Sequence, residues 1–111
     1  MQKSIEQEKK GVEDTKKLVV TSVRKRNGSV SPFDVEHITS AVFKAMRSTG
    51  EGERKEAEYI ARKVESELKK IAKLIKDFIP TVEGIQDIVE KELILEEYVK
   101  TAKAYILYRE E

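Results

Sequence analysis

Cysteine is absent from this 111-residue chain, and that absence removes disulfides, zinc-thiolate sites, thiyl radicals and cysteine nucleophiles together. Tryptophan is also missing, proline occurs twice, and the single histidine, His37, rules out a histidine-rich metal site. No run approaches the ~20 apolar residues of a membrane span, and the N-terminus has no signal-peptide apolar core. A cytoplasmic location is the simplest expectation. Neither charge dominates: 22 Lys and Arg face 21 Asp and Glu, for a net charge of +1. That balance argues against a general nucleic-acid binder. The length suits one domain with a single core.

One segment breaks the even charge distribution. Arg24, Lys25 and Arg26 stand together, and no acid occurs between Leu18 and Pro32. Asn27-Gly28 follows at once, a pair that tolerates the positive φ angles of a two-residue hairpin turn. The reading is a strand from Leu18 to Arg26, a tight turn, and a second strand from Ser29 to Phe33. A hairpin tip with three cations is a plausible seat for a polyanion. Successive strand residues point to opposite faces, so only one of Arg24 and Lys25 can face a ligand.

The remaining chain reads as helices. Asp34 is a good N-cap, and Val35, Ile38, Val42, Ala45 and Met46 recur at helical spacing until Ser48-Thr49-Gly50. Residues Gly50 to Gly52 form a loop. Ala57, Ile60, Val64, Leu68, Ile71, Leu74, Ile75 and Phe78 then form one stripe that Pro80 ends. Unbroken, that helix would be about 39 Å long, so a bend or break around Lys69 to Lys73 is expected. Thr81 caps a third helix through Ile85, Ile88, Val89 and Leu93. A fourth runs from about Glu97 with Val99, Ala102, Tyr105 and Ile106 inward. The fold class is α+β, mainly α: a small N-terminal β-hairpin packed over a four-helix bundle. Residues 1–17, with five Lys and four acids, read as a flexible charged arm before a domain spanning 18–111.

Three blocks then resemble a known family in the right order. Val23-Arg24-Lys25-Arg26-Asn27-Gly28, leading through Pro32-Phe33-Asp34 to Ile38, resembles the N-terminal signature of the ATP-cone, the allosteric nucleotide-binding module of ribonucleotide reductases. The run from Ile79 to Glu90 is similar to its third-helix signature, and Ala102 to Arg109 to its closing helix. The resemblance implies a regulatory domain that binds ATP or dATP under the hairpin, against the first and third helices, with Mg2+ as an allowed companion. ATP would leave the parent enzyme active and dATP would shut it down by changing subunit association. The partners implied are the catalytic domain of the parent chain and other reductase subunits, with neither nucleic acid nor membrane.

On the matching positions the resemblance places Val23 near the adenine through its backbone and Lys25 and Arg26 at the phosphates. The amides of Asn27 and Gly28 are further phosphate candidates. Asp34 and Thr81 would lie beside the base, and both also serve as helix caps. His37 stands where the family usually has lysine, so a permanent cation has become a titratable one. Proximity to phosphates would draw a proton onto it. Ser31 stands where some members carry a glutamate for the adenine amino group.

No catalytic constellation is present: there is no P-loop, no histidine dyad and no paired carboxylates on a cleft wall. The fragment is expected to regulate and not to react. Three alternatives stay open. A reductase-gene repressor shares the cone but carries a zinc ribbon with paired cysteines, which this sequence lacks. An archaeal kinase would show a P-loop beyond residue 111. A ligand-free helical interaction module would treat the hairpin cations as ordinary solvated charge.

Overall fold

A computed structural model describes residues 20–109. The proposed arm, residues 1–17, lies outside the described residues. Strands β1 (Ser22–Arg24) and β2 (Val30–Pro32) pair antiparallel, with Val23 opposite Ser31 and Arg24 opposite Val30. Helices α1 (Val35–Thr49), α2 (Arg54–Leu74), α3 (Val82–Leu95) and α4 (Val99–Arg109) follow. Helix α1 packs on α2 and α4, and α3 closes the square by packing on the same two.

Local chemistry sets most of the boundaries. Asp34 Oδ1 accepts from the Glu36 amide at 3.0 Å and opens α1. Gly50, at φ 76°, closes it with its N–H on the Met46 carbonyl, a conformation a side chain would disfavour. The Glu56 carboxylate accepts from the Glu53 amide at 2.8 Å as α2 begins. Thr81 Oγ1 accepts from the Gly84 amide at 2.9 Å and opens α3.

The stripes meet in one core. Val42, Ala45 and Met46 of α1, Ala57, Ile60, Val64 and Leu68 of α2, and Val89 and Leu93 of α3 are fully enclosed. Each large aliphatic side chain among them is worth about 1.5–3 kcal/mol of burial.

Three details differ from the sequence reading. The hairpin turn is longer than two residues. The last strand pair is Arg24 with Val30, the Lys25 amide donates to the Ser29 carbonyl, and the Gly28 amide donates to the Lys25 carbonyl. Gly28 alone takes a positive φ, 87°, and Asn27 does not. This is a four-residue turn over Lys25–Gly28 that ends on a left-handed glycine, with Arg26-Asn27 at its centre. Asn27 Oδ1 steadies it by accepting from both the amide and the hydroxyl of Ser29.

Helix α2 ends at Leu74, directly after the stretch where a break was expected, and is about 32 Å long. Leu74 and Ile75, read as part of the stripe, are 86% and 52% exposed. The chain turns there through Asp77 at φ 57° to reach Pro80, so the stripe outruns the surface that covers it.

Helix α4 is rotated from the expected face. Val99 and Ile106 are half exposed, while Thr101, Ala102 and Tyr105 are buried. Thr101 tolerates this because the Glu51 carboxylate accepts from its amide at 2.6 Å and from its hydroxyl at 2.7 Å. The same carboxylate accepts from the Lys100 amide, so a side chain from the α1–α2 loop caps α4.

Burial pulls the Glu51 carboxyl upward in pKa, but the bonds from Thr101 and Lys100 outweigh it and hold the group below the usual carboxylate range. The folded state therefore binds this proton less well than the unfolded chain. The cap's stability is complete above the ordinary carboxylate range and is lost as pH falls through it. Glu51→Gln is expected to cost about 1 kcal/mol at neutral pH and much less below about pH 4. Thermal melts of both proteins across that window check this. A gap that stays constant with pH would remove the charge from the account.

Candidate functional site

Alternation along the hairpin directs Val23 and Lys25 of one arm, and Ser31 and Phe33 of the other, toward the helices. The hairpin is anchored there by backbone. The Arg24 amide donates to the Pro80 carbonyl at 2.9 Å, and Arg24 bridges in parallel to Thr81. It thus roofs a gap between the start of α1 and the start of α3, with Tyr105 of α4 also reaching the lining.

The cavity so formed holds about 510 Å³, within the ordinary range for small-molecule sites. Val23, Phe33, Ile38, Ala41, Val82 and Ile85 supply apolar wall, and Lys25, His37, Asp34, Ser31 and Gln86 supply the polar groups. A flat apolar ring with an anionic tail suits such a lining, because the walls bury the ring while the cations meet the charge. Burial pushes the Tyr105 phenol up to about 12, so it stays protonated at any physiological pH.

A second cleft, about 940 Å³, lies between the end of α1 and the start of α2. It is larger but more open, and its wall mixes Glu51, Glu53 and Glu56 with Arg47, Arg54 and Lys55. Glu51 is already committed to capping α4. The smaller cavity is the better site, since its walls are mostly apolar and converge, and its one acid, Asp34, is engaged in capping α1.

Four of the eight residues named from sequence line this cavity: Val23, Lys25, Asp34 and His37. Arg24 sits on the other face, its guanidinium donating to the Gly28 carbonyl at 3.0 Å, so the alternation argument selects Lys25. Arg26, Asn27 and Gly28 form the turn beside the cavity. The Gly28 amide is used within that turn, on the Lys25 carbonyl. Thr81 abuts the site through its bridge to Arg24, with its hydroxyl on the Gly84 amide.

Arg26 has a partner that sequence reasoning missed. Its Nε donates to Glu83 Oε2 at 2.5 Å, tying the hairpin tip to the first turn of α3. The Glu83 backbone amide and the Arg26 guanidinium hold that carboxyl below its ordinary range. Both side chains are solvated, so the pair adds little stability and an incoming anion can compete for Arg26. Gln86 was also missed. Its only signal in the sequence is a polar residue set into the apolar row Val82, Ile85, Val89.

No group of three His, Asp or Glu among the described residues is placed to bind a metal ion.

Comparison with known proteins agrees in extent with this site-bearing unit. The profile of the family described as the ATP cone domain matches residues 21–111. Over 97 residues the chain is 41% identical to a vitamin B12-dependent ribonucleoside-diphosphate reductase of Thermoplasma acidophilum, which covers 83% of this chain and 12% of that protein. It is 36% identical over 95 residues to a ribonucleoside-diphosphate reductase subunit alpha of Chlamydia muridarum, covering 80% of this chain and 9% of that one. A subunit alpha of Chlamydia trachomatis matches at 34% over the same length. The chain thus spans about a tenth of the length of these curated relatives.

Proposed function

The chain belongs to the ATP-cone family, and from that premise we propose that it is the nucleotide-sensing regulatory domain of a ribonucleotide reductase. The observation that carries the reading is the cavity under the hairpin, apolar on its walls, with the Lys25 cation and the His37 imidazole in its lining. In this reading the adenine lies between the hairpin face of Val23 and Phe33 and the helix face of Val82 and Ile85. The triphosphate runs toward Lys25 and His37, and Arg26 joins it by leaving Glu83. Asp34 stays a helix cap at the rim, and Thr81 supports the site through the hairpin it anchors.

Regulation then works through association. The cavity wall includes hairpin, α1, α3 and α4, so a ligand that binds two arrangements of these elements unequally biases whatever packs against them. ATP and dATP differ by one ribose hydroxyl, and their opposite effects on a parent enzyme must come from a small shift of the hairpin or α1. The other reductase subunits, a bound Mg2+ and a cytoplasmic setting belong to the same proposal.

Calorimetric titration of the domain tests it. ATP and dATP are expected to bind at least tenfold more tightly than GTP, with no steady release of phosphate. Equal affinity for GTP would reduce the site to a general anion sink, and steady turnover of ATP would contradict a purely regulatory role.

A further inference from the structure

One acceptor in the cavity wall has nothing to accept from. Gln86 Oε1 is sealed from solvent and has no hydrogen-bond partner, the one such side-chain atom among the described residues. Other buried polar groups in the bundle are satisfied: Thr39 bonds the Val35 carbonyl and Thr101 bonds Glu51. Gln86 lies one helical turn along α3 from Val82 and on the same face, and both line the cavity together with Ile85. An unpaired buried acceptor costs stability, and this one belongs to a residue of the cavity wall.

We infer that Gln86 reads the base, accepting a hydrogen bond from the exocyclic 6-amino group of adenine. This rests on the nucleotide reading above and adds the group that selects the base. The apolar walls hold any purine, so they cannot choose between them. A donor at the 6-position pairs with Gln86 Oε1. A purine with hydrogen at the 6-position would leave Oε1 unpaired.

The test compares ATP with purine riboside 5′-triphosphate, which has hydrogen in place of the amino group, on wild-type domain and on Gln86→Met. Met keeps the length and flexibility of the side chain without the amide. Wild type is expected to prefer ATP by about tenfold, and Gln86→Met to bind the two within about twofold, mainly by losing affinity for ATP. Without ligand, Gln86→Met should melt no lower than wild type, because an orphaned acceptor has been removed. Where Met disturbs the packing, Gln86→Leu gives the same comparison. A tenfold preference that survives in the variants, or no preference in wild type, overturns the inference while leaving nucleotide binding intact. Failure of wild type to bind either triphosphate overturns the nucleotide reading, and this inference with it.

Discussion

Saturating ATP or dATP is expected to raise the melting temperature of this domain by on the order of 10–20 °C. A ligand that binds only the folded state stabilises it by RT ln(1 + [L]/Kd), about 2.7 kcal/mol at a hundred times Kd. A domain of this size gains roughly 4–8 °C per kcal/mol, which converts the one figure to the other. The unfolded chain has no competing site, since the cavity is assembled from residues spread between Val23 and Tyr105. Thermal melts at a series of nucleotide concentrations should therefore show a shift that keeps growing with the logarithm of concentration. A melting temperature unmoved by both nucleotides at millimolar concentration would sink the assignment of this cavity.

Lys25→Ala is expected to weaken nucleotide binding about 10–100-fold, the largest effect of any single cation at the hairpin. The lost contact is charge-assisted and worth about 1.5–3 kcal/mol. Arg24→Ala is the matched control, because Arg24 carries the same charge one residue away but bonds the Gly28 carbonyl on the opposite face. Its cost should stay within about twofold. Arg26→Ala should fall between the two, since any phosphate contact it makes is net of the ion pair with Glu83 that must first open. Isothermal titration of the three variants at two salt concentrations separates the readings. Equal losses at Lys25 and Arg24, both fading as salt rises, would mean that diffuse positive potential holds the ligand and no oriented site exists.

Much of this was legible in the residues because it is local. A cap acts within one helical turn, so Asp34, Gly50 and Thr81 mark the ends of α1 and the start of α3 wherever those helices go. The alternation of a strand needs no partner to declare that Arg24 and Lys25 point apart. Even so, a local signal misled once. Asn27-Gly28 suits a two-residue turn, yet the pairing of Arg24 with Val30 demanded a longer loop, and only Gly28 used its freedom.

By itself the sequence determined a hairpin tip of cations leading into four helices with one apolar stripe each, and it excluded cysteine chemistry outright. Three ordered motifs named the family. What only the tertiary structure decided is which parts of each stripe find a cover and which distant groups meet. Leu74 and Ile75 belong to the stripe but lie past the end of the surface that buries it. Arg26 meets Glu83 across 57 positions, Thr101 meets Glu51 across 50, and Gln86 Oε1 finds no hydrogen-bond partner among the described residues. Helical period records which face of an element is apolar. The packing of one helix on another sets how far along that face the contact runs and leaves the gap that becomes the site.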